Sequence, residues 1–290
     1  MNRSIIALCT LCTAACLSDA QGNAAPAADL QLIAPDLELG SIPLGRTLRL
    51  RADRPLEPSS VLRQSFGLAD LGTGRALSAP VRYDPVLREV QVDLIAAGLS
   101  LTEPGHSYTL RVWTPNDKGV IAWFRGVDGS VIGANSERRW TFRVEDAPPP
   151  SPVAAPDFCA DILPTFRAQC TQCHNAQQKT MALDLSSGAA IAATAVGVEA
   201  VLSRRTPGLV VGTAPLGTNM QRITPRTPSF SQLLYKTLIA PSFDESTEDT
   251  RARRLLNERI SGEAMGALSM AQKRTLSAWI QAGAPTNDCL

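Results

Sequence analysis

Five consecutive residues, Cys170-Thr171-Gln172-Cys173-His174, constrain this chain more than any other stretch of it. Two thiols three positions apart on one helical turn face the same way, so both can add to the vinyl groups of a single porphyrin. The histidine that follows then sits under the ring, where its imidazole nitrogen can bind iron. C-x-x-C-H is therefore the attachment pattern of a c-type haem. With seven Cys and two His in 290 residues, composition alone predicts about 0.001 copies of the pattern.

Three rival readings use the same thiols. A zinc site needs a second pair of Cys or His ligands at similar spacing, but the other histidine, His106, lies far upstream and the remaining cysteines are scattered singly. A thioredoxin-like redox pair wants a surrounding βαβ pattern, whereas the sequence after Cys173 reads as helices and loops. A plain disulfide between Cys170 and Cys173 leaves the adjacent His174 unexplained. Covalent haem c, one per chain, is the expectation.

The N-terminus reads as an export signal spanning residues 1–15. Arg3 supplies the positive start, Ile5 to Leu11 the apolar core and Thr13-Ala14-Ala15 the small-residue region before Cys16. An apolar run of this length is too short for a membrane span, and no later segment is apolar enough for one. Cys16 after two alanines resembles a bacterial lipoprotein signal, which implies lipidation of Cys16. Ordinary cleavage after Ser18-Asp19-Ala20 is the alternative. Both readings place the protein outside the cytoplasm, in the periplasm or at the cell envelope, with any membrane contact made through the lipid alone.

The formal net charge of +1 shows no dominant basic face, which argues against a nucleic-acid partner. A tether, 16–29, is rich in Ala, Asn and Asp. From 30 to 146 short runs alternate with period two, as in Thr47-Leu48-Arg49-Leu50-Arg51, Val90-Gln91-Val92-Asp93-Leu94, Tyr108-Thr109-Leu110-Arg111-Val112 and Trp140-Thr141-Phe142-Arg143-Val144. Turn signals such as Leu71-Gly72-Thr73-Gly74 separate them, and the whole reads as an all-β sandwich. The segment 147–156, from Ala147-Pro148-Pro149-Pro150 to Pro156, reads as a stiff linker that should hold two domains apart. His106, in a Pro-Gly turn, reads as a solvated position.

Beyond Asp157 the period changes to that of helices. Phe158, Ile162, Leu163 and Phe166 lead to the cysteine pair, with Pro164 as a kink or restart. Ser229 is expected to cap a second helix whose stripe is Phe230, Leu233, Leu234 and Leu238. Ser269 and Gln272 form a capping box for a last helix striped by Leu276, Trp279 and Ile280 and stopped by Gly283 and Pro285. The charged run from Asp244 to Arg259 reads as a solvated loop or helix face.

Two resemblances extend these readings. Residues 43 to 144, through Arg54-Pro55-Leu56-Glu57-Pro58, Val81-Arg82-Tyr83-Asp84, Glu103-Pro104-Gly105 and Trp140-Thr141-Phe142, resemble the bacterial Ig-like domain of surface-layer and other cell-envelope proteins. That implies a spacer or interaction module. Residues from Phe158 to Pro285 resemble the small monohaem c-type cytochrome domains of bacterial envelope proteins. The similarity rests on Ile162-Leu163-Pro164-Thr165-Phe166 before Cys170, Leu183-Asp184-Leu185-Ser186-Ser187, Ser231-Gln232-Leu233-Leu234-Tyr235-Lys236, and Met265 through to Gly283-Ala284-Pro285.

The expected fold is thus two domains, an all-β Ig-like sandwich followed by an all-α cytochrome c-like haem domain over 157–290. The second resemblance implies Met265 as the distal iron ligand, opposite His174, although Gly266 stands where the family often has Pro. Met220, also in a loop, remains the rival. Packing of the first and last helices in such domains implies a Cys159–Cys289 disulfide. The function implied is electron transfer between redox partner proteins of the envelope, without an enzymatic reaction of its own. The alternative is an interaction or sensor protein with a structural or gas-binding haem. A haem enzyme such as a peroxidase ranks third, because no second catalytic His or Arg set is evident.

Overall fold

A computed structural model describes residues 29–38, 40–43, 47–98, 106–133, 138–145, 151, 153–178, 180–200, 216, 220–239, 256, 268–287 and 289. The signal region with Cys16, the loop with Met265, half of the linker and most of the 244–259 run lie outside them. Leu256, within that charged run, is buried.

Alternation builds the N-terminal half. In β3 (Leu48–Ala52) Leu48, Leu50 and Ala52 turn inward while Arg49 and Arg51 turn out, where they meet Asp36 and Glu89 at 2.7 and 2.9 Å. Together with β1 (Leu32–Ile33), β6 (Val81–Asp84) and β7 (Glu89–Val92) it forms a four-stranded sheet in the order β1-β3-β7-β6. The facing sheet has the order β2-β9-β8-β4-β5, with β2 (Ser41–Pro43), β4 (Phe66–Asp70), β5 (Ala76–Leu77), β8 (Ser107–Val112) and β9 (Arg139–Glu145). Register places Leu50 opposite Val90 in one sheet and Leu110 opposite Trp140 in the other. The inward side chains of both sheets merge into one apolar core.

The C-terminal half corrects the expected all-α haem domain. The chain is a mixed α and β protein with sheets of four and five strands, and its described helices are few and short. Among the described residues α1 (Leu163–Gln169) and α2 (Gly188–Thr194) have seven residues each, α3 (Gln232–Ile239) has eight and α4 (Met270–Gln281) has twelve. Helices of this length are marginal in water and depend on the packing of one face. Between α2 and α3 the described residues make the isolated bridges Val196↔Ile223, Glu199↔Gln221 and Gln221↔Ser231. Ser229 does not cap α3. It lies in a tight 3-10 turn, Pro228–Phe230, and its carbonyl accepts the Tyr235 hydroxyl at 3.1 Å.

The two halves are not held apart. Val86 and Val127, from the sandwich half, belong to the apolar core of the C-terminal half. Ser277 Oγ donates to Asp84 Oδ2 at 2.8 Å, and Gln281 Nε2 donates to Gln91 Oε1 at 2.9 Å. The turn Pro228–Phe230 packs against edge strand β6, which shields one set of strand edges. Apolar side chains and a buried carboxylate on the sandwich surface outweigh the separating tendency of the proline run. No helix among the described residues is long and apolar enough to cross a membrane.

Candidate functional site

The cysteine pair is delivered by a capped helical segment. Asp157 Oδ1 accepts from Ala160 N at 2.7 Å and starts a widened π-type turn, Phe158–Ile162, that runs into α1. Pro164 falls at the start of α1, where its missing N–H costs nothing. Phe158, Ile162, Leu163 and Phe166 are buried, and α4 brings Trp279 against them. Its ring lies 6.0 Å from Phe158, tilted, and 6.0 Å from Phe166, edge-on. Trp279 Nε1 donates to Pro285 O at 2.9 Å, so the indole is buried without an orphaned donor.

Beyond Gln169 the backbone keeps turning. Cys170 N donates to Phe166 O at 2.8 Å, and His174 N donates to Cys170 O at 3.0 Å. Thr171 Oγ1 to Arg167 O and Asn175 Nδ2 to Thr171 O, at 2.8 and 2.7 Å, brace the same turn. Leu185 N donates to His174 O at 2.9 Å and closes the following loop back onto the histidine. Cys170 is buried and Cys173 exposed, and both are free thiols. Burial pushes the Cys170 thiol up to about 12, so it is held neutral. His174 is half-buried.

Cys159 and Cys289 form a disulfide, with Cα atoms 5.5 Å apart across 130 positions of sequence. It joins the segment leading to the cysteine turn to the tail that follows α4.

Of the methionines, Met220 is buried in the core that also holds Cys170. Met181 is exposed, and Met270 begins α4. His106 is not simply solvated: its Nδ1 lies 3.1 Å from Asp70 Oδ2, on the sandwich half. Among the described residues no three His, Cys, Asp or Glu side chains gather into a metal cage.

Two features of the site are silent in the sequence. Met181 and Ala182, in the loop closed by His174 and Leu185, have left-handed backbones with φ of 60° and 54°. Such values are uncommon away from glycine and mark a turn held by its surroundings. The holder is Arg222, which donates to Met181 O at 2.6 Å, Ala182 O at 2.9 Å and Thr194 O at 2.6 Å. An arginine between Gln221 and Ile223 carries no motif that would single it out.

The donor set fits a covalently held haem. Two free thiols and an imidazole occupy one braced turn beside an aromatic-rich apolar core, in a chain whose neighbouring cysteine pair is bridged.

No family model matches the chain, and no curated protein matches it. Among solved structures it is similar to the N-terminal part of the bacterial S-layer protein SbsC, at 14% identity and a TM-score of 0.29. The match covers 46% of this chain and 26% of that one, so it spans about a quarter of the neighbour's length. A likeness this slight carries no functional argument.

Proposed function

We propose that this protein is an exported electron carrier that holds one haem c through thioethers at Cys170 and Cys173, with His174 as the proximal iron ligand. The observation that carries the reading is the state of the cysteines. Cys159 and Cys289 are bridged, while Cys170 and Cys173 stay as free thiols on one turn that ends in His174. Haem bound there would supply an iron that cycles between two oxidation states.

The chain's own residues have separate tasks. Cys170, buried and neutral, and Cys173, exposed, are the two points of covalent attachment. Backbone bonds at both ends of His174 fix the direction in which its imidazole leaves the chain. Phe158, Phe166 and Trp279 share one apolar core with Cys170 and would give the haem an apolar neighbour there. Met265 would be the second protein ligand, and a thioether in that role would raise the potential relative to a second imidazole. An iron held by both His174 and Met265 would leave no place for a bond-making substrate, which favours electron transfer between envelope redox proteins. Lipidation at Cys16 would place the carrier on a membrane surface.

Spectroelectrochemical titration of the purified protein tests the function. A single reversible one-electron couple, with sharp reduced-state visible bands unaffected by CO, is expected. Ready CO binding by the reduced protein would instead favour a sensor.

A further inference from the structure

Arg222 is a buried cation, 9% exposed, and its hydrogen-bond partners among the described residues are all backbone carbonyls. Nη1 spends both of its N–H groups, on Ala182 O and Thr194 O, and Nη2 spends one, on Met181 O. A guanidinium has five N–H donors. Two remain, Nε–H and the second on Nη2. They lie along one edge of the plane and have no acceptor among the described residues. That edge is the fork that receives a carboxylate through two parallel bonds.

A buried charge satisfied only by neutral carbonyls is costly to keep, and burial pulls the Arg222 pKa down, with no acid opposing it. The three carbonyls fix the orientation of the plane. Two belong to the loop closed onto His174, and the third is the last residue of α2. On either side of Arg222, Met220 and Ile223 enter the core that contains Cys170. The guanidinium therefore sits where that core meets the His174 loop.

We propose that Arg222 is an anion-binding residue of this site, its open edge taking a carboxylate of the group held by Cys170 and Cys173. The proposal rests on the haem reading above, because haem carries two carboxylates at one rim of an otherwise apolar ring. Arg222 has two roles at once: its inner N–H groups shape the Met181–Ala182 turn and its outer ones bind the ligand.

Two measurements test it on the haem-loaded full chain. In the 15N spectrum of reduced wild-type protein, without added salt anions, the Arg222 Nε–H should exchange with solvent at least tenfold slower than in free arginine. Exchange at the free rate, or protection only when chloride or phosphate is added, overturns the proposal. In the resonance Raman spectrum, Arg222→Gln should shift the haem carboxylate bending band while the covalent haem stain persists, and Arg222→Lys should shift it less. An unchanged band in a haem-loaded Arg222→Gln protein also overturns it. A wild-type chain that never acquires haem refutes the underlying reading instead, so the two failures are distinguishable.

Discussion

Ser277 and Asp84, 193 positions apart, meet in a buried hydrogen bond of 2.8 Å that ties α4 to the edge strand of the sandwich. The same helix carries Trp279 onto Phe158 and Phe166, ahead of Cys170. The sandwich, the last helix and the cysteine turn are therefore one chain of contacts.

Asp84 makes that joint sensitive to pH. Burial raises its pKa above the ordinary 3.8, and bonds from Ser277, Leu87 and Val86 only partly offset the effect. The folded state then binds a proton more readily than the unfolded chain, so this group favours folding more as pH falls toward 3.8 and less at neutral pH. Asp84→Asn should raise Tm at pH 7 by roughly 2–4 °C, the size of about 1 kcal/mol in a chain this long. The difference from wild type should shrink as pH is lowered toward 4, which calorimetry at several pH values reads directly. A difference that does not vary with pH would show that Asp84 is not held against ionisation.

The Cys159–Cys289 bridge closes a loop of 130 positions. In the chain-entropy model its removal should cost about 4–5 kcal/mol. Urea unfolding of a Cys159→Ala, Cys289→Ala protein should show the loss as a lower midpoint, with a steeper slope because the unfolded chain is released to expand.

Gly188, the first residue of α2, has no room for a side chain. A Cβ there would run into the backbone carbonyl of Asn287, two residues before Cys289, and backbone cannot swing aside. Gly188→Ala should cost about 1–3 kcal/mol, as overpacking does, although alanine is the better helix former. A neutral or stabilising result in urea unfolding would mean that the 285–289 tail is not seated on α2.

The distal ligand is decided by two substitutions. Met265→Ala should open the reduced iron to CO and abolish the weak near-infrared sulfur-to-iron band, whereas Met220→Ala should leave both unchanged. Met220 lies in the core beside Cys170, so the opposite pattern would move the ligand to Met220.

What the sequence discloses here depends on how local the signal is. The alternating runs at 47–51, 90–94, 108–112 and 140–144 overlap strands β3, β7, β8 and β9, with Thr47, Asp93 and Leu94 falling just outside them, because in-out alternation reports one residue's own surroundings. The Ser269–Gln272 capping box is formed as its spacing implies, and Gly283 takes φ of 110° just beyond α4. Tertiary relations left no such trace. The parallel pairing of Ser41 with Arg143 joins strands a hundred residues apart, and nothing about Val86 or Val127 marks them as core for the other half. The all-α expectation failed for a related reason. A five-residue motif fixes a turn and its chemistry, not the architecture around it, and the described residues 196–200 and 220–231 are joined by isolated bridges and by the Pro228–Phe230 turn rather than by helical periodicity. Arg222 was invisible because its role comes from three distant carbonyls.

The most direct measurement is haem staining after denaturing electrophoresis of the protein expressed with a c-type maturation system, with one iron counted per chain. Haem should travel with the wild-type polypeptide and vanish from a Cys170→Ala, Cys173→Ala double variant. A colourless wild-type chain under those conditions would contradict covalent haem at this turn, and with it the electron-carrier function.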